Sequence, residues 1–154
     1  MTKRADFRGV FSALATPFDR DGGVDVDALR RSVGHQLEEG IAGIVPCGST
    51  GEFTSLSAEE RRLVAEVVLS EVDGRVPVIP QTGALTTAEA VGLSRHAASL
   101  GAAAVLCVPP YYAPLSKREL VDYYDELVAA VDVPVAFYNI PWASNVVLTA
   151  TEIA

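Results

Sequence analysis

Apolar positions along this chain follow two rhythms. Five short runs are apolar almost throughout: residues 10–15 (VFSALA), Ile41–Cys47, Val76–Gln81, 103–108 and 133–138. Between them lie longer stretches in which apolar residues return every third or fourth position, such as Val26, Leu29, Val33 and Leu37. The short runs predict strands covered on both faces, and the longer ones predict helices that bury one stripe. Further stripes are Leu63, Val64, Val67 and Val68, then Val91, Leu93 and Leu100, then a fourth helix opened by Ser116 and Glu119.

Polar punctuation sharpens the boundaries. Asp25 reads as an N-cap, Ser57 with Glu60 and Thr86 with Glu89 read as capping boxes, and Ser116 with Glu119 and Thr149 with Glu152 read as the openings of two further helices. Gly40, Asp73-Gly74 and Gly101 read as stops. The caps fall at 25, 57, 86, 116 and 149, a step of about 30 residues, the size of one strand-helix unit. Strand-helix repetition predicts a parallel sheet clothed in helices. Two architectures satisfy it: a doubly wound open sheet, or the first five β/α units of a TIM (β/α)8 barrel, whose usual length of about 250 residues gives roughly 30 per unit. Residues of chemical interest follow strand after strand, which favours the barrel: Thr16, Ser49 and Thr50, Gly83, Tyr111 and Tyr112, Tyr138.

Composition narrows the field of partners. The 154 residues are 49% hydrophobic and carry a formal charge of −8, so a core of ordinary size is expected while nucleic acid and anionic membrane are not. The chain opens without a charged-then-apolar leader and its longest apolar stretch is broken by prolines, so a cytoplasmic protein is expected. Cys47 and Cys107 sit apart within or beside apolar runs, which predicts buried thiols and neither a disulfide nor a zinc site.

The loop Cys47-Gly48-Ser49-Thr50-Gly51-Glu52 is the richest in chemistry. Glycines at 48 and 51 allow a tight turn and a close approach of backbone N–H groups to a small anion, and Ser49 and Thr50 add hydroxyl donors. The plain alternative is a strand-to-helix connection built of ordinary turn residues. Tyr138 can likewise be a rim residue whose hydroxyl reaches water, and Tyr111 and Tyr112 a packing patch or an oligomer contact. His35 and His96 fall within helices and read as packing or surface residues.

Taken together, TPF after the first strand, GSTGE after the second, PPYY after the fourth and Tyr138-Asn139-Ile140-Pro141 after the fifth resemble the dihydrodipicolinate synthase and N-acetylneuraminate lyase family over nearly the whole chain. The resemblance implies a TIM barrel, assembled as a homotetramer of tight dimers, that processes pyruvate or another 2-keto acid through a lysine Schiff base without metal or cofactor. It implies that Ser49 and Thr50, within the Gly48–Gly51 loop, bind the keto acid carboxylate. Tyr138 is then the general acid-base, Ser49 part of a hydroxyl relay, and Tyr112 a relay member reaching in from a neighbouring subunit.

Two features depart from the family pattern. The only lysines are Lys3 and Lys117, neither at a strand end, whereas the family's lysine lies on the sixth strand, one unit beyond Tyr138. The expectation is therefore a chain that forms the amino-terminal portion of one barrel domain and is inactive alone. Second, Ala143 stands where dihydrodipicolinate synthases resemble one another in an arginine. That difference leans toward a lyase or aldolase of sugar-acid-like substrates, ahead of a keto-deoxy sugar acid dehydratase and of 4-hydroxy-tetrahydrodipicolinate synthase. A catalytically silent barrel piece acting as a binding or structural module is the reading from another class.

Overall fold

The computed structural model describes residues 7–153. Lys3 lies outside them. Four strands, β1 (Phe11–Ala13), β2 (Gly43–Val45), β3 (Val105–Cys107) and β4 (Val135–Phe137), form two parallel ladders, β1 with β2 and β3 with β4. The helices α1 (Val26–Glu38), α2 (Ala58–Val72), α3 (Thr87–Ser99) and α4 (Lys117–Ala130) alternate with the strand-forming runs and pack each on the next. Two short helices, α5 (Pro141–Ser144) and α6 (Ala150–Ile153), follow β4.

The third predicted strand, Val76–Gln81, is no regular strand. It survives as two parallel bridges, Ile44 with Val78 and Gln81 with Leu106. Pro77 and Pro80 have no N–H to donate, so rungs are missing where a continuous ladder would need them. The segment nevertheless joins the two ladders: Ile44 N donates to Pro77 O at 3.0 Å and Ile79 N to Ile44 O at 2.9 Å, while Leu106 N donates to Pro80 O at 2.9 Å and Thr82 N to Leu106 O at 2.8 Å. All five predicted runs therefore lie side by side in chain order, with β3 and β4 the fourth and fifth.

Helix starts fall at the predicted caps. Asp25 Oδ1 accepts from Ala28 N at 2.9 Å, and Ser57–Glu60 and Ser116–Glu119 close both halves of a capping box. At Thr86 the threonine half forms, with Oγ1 accepting from Glu89 N at 3.3 Å. The ends also match: Gly40 and Gly101 take positive φ, and Asp73, the C-cap of α2, is left-handed. One stripe was misplaced. In α3 the buried positions are Ala90, Leu93, Ser94 and Ala97, whereas Val91 is partly covered and Leu100, the C-cap, is exposed. Small residues bring α3 close to the sheet, so hydrophobicity alone did not reveal its buried face.

The apolar interior has two clusters. One gathers Leu29, Val33, Ile44, Val64 and Val68, and the other Ala97, Val105, Cys107, Tyr123 and Leu127; Leu69 packs against both. Cys47 and Cys107 are buried free thiols. Burial pushes the Cys47 thiol up to about 12, because an anion there would be stripped of water.

Candidate active site

The predicted loop leaves the end of β2 through buried Pro46 and Cys47. Its left-handed residues are Cys47 (φ 57°) and Glu52 (φ 55°), not the two glycines that flank the hydroxyls. Gly51 is required for a different reason: a Cβ there would lie 2.9 Å from the Leu14 carbonyl oxygen. Gly48 faces open space at its Cβ position. Thr16, after β1, is buried and donates to Gly51 O at 2.8 Å, so it ties the first loop to the second. Glu52 N donates to Ser49 O and Phe53 N to Gly48 O, so those two amides are already engaged within the loop.

Ser49 is exposed at the tip and Tyr138 is half-buried directly after β4. Although 89 residues apart in sequence, their hydroxyl oxygens lie 3.3 Å from each other, and either can donate. Tyr138 is held from behind by its own backbone, whose N–H donates to Cys107 O at 2.8 Å; the same carbonyl accepts from the Tyr124 hydroxyl of α4 at 2.7 Å. Tyr124 also packs on Phe137 with ring centres 5.2 Å apart. The β3 and β4 ends and α4 thus fix the direction in which Tyr138 leaves the sheet.

Ser49 and Tyr138 share a cleft of about 290 Å³ at the carboxyl ends of the strands, together with Phe53, Tyr111, Trp142 and Ala143. Thr50 is exposed but outside this lining, and Tyr112, next to Tyr111 in sequence, is 88% exposed and likewise outside. The structure therefore brings together Ser49 and Tyr138 and leaves Thr50 and Tyr112 apart from them within a single chain. A larger hollow of about 570 Å³ lies at the amino ends of the strands, among Val10, His35, Gln36 and Ile41, far from the hydroxyl pair.

Two contributors, Phe53 and Arg61, escaped the sequence reading, and Tyr111, expected there as a packing patch, joins one of them. Phe53 and Tyr111 form the cleft wall edge to face, with centres 5.6 Å apart at 88°. Burial raises the Tyr111 phenol, an effect that the nearby positive Arg61 opposes. Arg61 itself is only 5% exposed. In the sequence it sits in a Glu-Glu-Arg-Arg run that looks like a solvated helix face. The available hint was its place three residues before Val64 and four before Ala65, on the buried stripe of α2.

A hydroxyl pair at the carboxyl rim of a parallel sheet, from its second and fifth runs on a chain of five β/α units, defines a β/α-barrel-type site. The comparisons specify the kind. The Dihydrodipicolinate synthetase family model matches residues 6–154, and the chain belongs to that family. A 4-hydroxy-tetrahydrodipicolinate synthase of Pelobacter propionicus is 46% identical over 148 residues, covering 96% of this chain and 51% of the relative; one of Methanothrix thermoacetophila is 44% identical, covering 96% and 50%. Among solved structures, YagE, a prophage protein of the dihydrodipicolinic acid synthase family from E. coli in complex with pyruvate, is 34% identical with a TM-score of 0.93 over 97% of this chain and 50% of its own. CdNal from Clostridium difficile, in complex with mannosamine, is 30% identical with a TM-score of 0.93, covering 97% and 52%. The fold is thus that of a TIM barrel of this family, seen here as five β/α units, and the chain spans about half the length of the curated relatives it matches.

Proposed function

We propose that this chain is the pyruvate-handling, amino-terminal portion of a single-domain barrel lyase or aldolase that forms a lysine Schiff base with a 2-keto acid. The observation that carries the reading is the 3.3 Å contact between the Ser49 and Tyr138 hydroxyls inside a shared cleft. Imine formation requires an amine to add to the C2 carbonyl and the resulting hydroxyl to leave as water. A tyrosine hydroxyl in contact with a second hydroxyl can deliver the proton to that departing oxygen and be reprotonated through its neighbour. The iminium then accepts the electron pair of the breaking bond at C3. The loop of Gly48, Ser49, Thr50 and Gly51 would hold the keto acid carboxylate, which fixes C2 toward the amine. That amine would come from a lysine on the sixth strand of the whole barrel, as Lys117 heads α4 and pairs with Glu152. Tyr112, exposed beside the cleft, would complete the relay of a partner subunit in a dimer of dimers. A cytoplasmic location suits such an assembly.

The aldehyde partner has two readings. Ala143 in the cleft lining offers no cation for a second carboxylate, which favours a sugar-acid-like substrate cleaved by an aldolase or lyase, or dehydrated. The curated relatives are named 4-hydroxy-tetrahydrodipicolinate synthases, which favours condensation. The test of the common step is to treat the whole protein with pyruvate and borohydride and weigh it. One lysine should gain a reduced pyruvyl adduct; absence of any adduct would leave the silent binding module as the better account. Release of pyruvate from a panel of keto-deoxy sugar acids, set against pyruvate consumption with a carboxylate-bearing aldehyde, then separates the two readings.

A further inference from the structure

Arg61 is a buried cation for which, among the described residues, no carboxylate forms an ion pair. Removing a guanidinium from water is costly, and an apolar side chain would fill the same space on α2 without that cost. Its contacts show what it holds. One nitrogen, Nη2, donates toward three oxygens: Gln81 Oε1 at 2.7 Å, Gly83 O at 3.0 Å and Gln81 O at 3.1 Å. The guanidinium carbon stands 5.4 Å from the centre of the Phe53 ring. Phe53 in turn meets Tyr111 edge to face, and both line the cleft that contains Ser49, Tyr138 and Trp142. Desolvation by burial pulls the Arg61 pKa down from its ordinary value, but an arginine remains charged.

We propose that Arg61 is a positioning residue of the cleft: it pins the 81–83 segment on one side and the Phe53–Tyr111 wall on the other, and so sets the width of the mouth in which Ser49 and Tyr138 meet. It touches neither hydroxyl and acts only through the wall. Because all three hydrogen bonds come from one nitrogen, a lysine ammonium, with three donors and the same charge, can take over part of the role. Methionine, which fills the space, cannot.

The kinetic part of the test rests on the keto acid reading above; the spectroscopic part does not. Trp142 is the only tryptophan of these 154 residues, lines the cleft and is 82% exposed, so in this chain its emission and its quenching by acrylamide report a change at the cleft mouth. In Arg61→Met, Trp142 quenching should change and the pyruvate concentration for half-maximal borohydride trapping should rise about tenfold, with the saturated trapping rate changed less. Arg61→Lys should recover most of both. If Arg61→Met melts earlier yet keeps wild-type Trp142 quenching and half-saturation, Arg61 is merely a core residue and the inference is overturned. Should Arg61→Met fail to fold, Phe53→Leu keeps the arginine and removes the ring it acts through; it must reproduce both changes, and wild-type behaviour in it overturns the inference. If the wild-type protein forms no adduct, the Schiff-base reading fails, and Trp142 quenching in Arg61→Met and Arg61→Lys alone decides for or against Arg61.

Discussion

At the scale of single residues, the site depends on two hydroxyls delivered by different strands. Tyr138→Phe leaves the ring packed and removes the proton donor, so borohydride trapping of pyruvate should slow about 100-fold, with half-saturation little changed. Ser49→Ala should slow it about tenfold, since water can stand in for a relay member more readily than for the donor. A single-turnover mass measurement checks both, and equal rates in all three proteins would remove the pair from the chemistry. Glycines divide by what surrounds them. A Cβ at Gly83 would lie 2.5 Å from both Val108 N and Val108 O, backbone atoms that cannot swing aside, so Gly83→Ala should cost about 3 kcal/mol in a denaturant melt. Gly48→Ala meets nothing within 4 Å and should leave the melt almost unchanged.

At the scale of elements, helix caps carry much of the definition. Loss of the Ser57 or Ser116 hydroxyl should each cost about 1 kcal/mol, measured as a shift in the denaturant midpoint. The same boxes respond to acid. The Ser57 backbone N–H and hydroxyl hold the Glu60 carboxyl below its ordinary value, the Ser116 hydroxyl and N–H do so for Glu119, and the Lys117 ammonium with Thr149 brings Glu152 down to about 2. These folded-state values are depressed, so the stabilisation is present in full above the unfolded value of about 4.3 and disappears as pH falls toward the folded values. Helical circular dichroism followed from pH 5 to pH 2 should show this loss, and Glu60→Gln with Glu119→Gln should flatten it. These caps were also the most legible part of the sequence, because a serine and a glutamate three apart satisfy backbone N–H groups by local geometry alone. The break in the 76–81 run was less legible. Its prolines were in view, but their effect depends on which neighbour each missing N–H would have faced. Ser49 and Tyr138 were legible as types at strand ends. Their contact, the absence of Thr50 from the cleft, and the burial of Arg61 depend on distant packing that no local pattern encodes.

At the scale of the whole molecule, β1 and β4 are each paired on one side only among the described residues, and Val121 and Val128 of α4 are exposed at 56% and 59%. Beside β4 a hollow of about 280 Å³ is lined by Leu120, Tyr124, Val135, Phe137 and Leu148. Unpaired edges and apolar helix faces drive association. The 154-residue chain by itself should therefore self-associate as its concentration rises, as light scattering can check; a monodisperse monomer at high concentration would show that these surfaces are inert. Among the described residues the two ladders meet at the proline-interrupted column, and the interior on either side forms its own cluster, with Leu69 between them. Such a join is a fault line. Under gentle denaturant the protein should loosen there first, so that deuterium uptake resolves two slowly labelling blocks, near residues 26–72 and 87–130, that become independent of each other before either one dissolves.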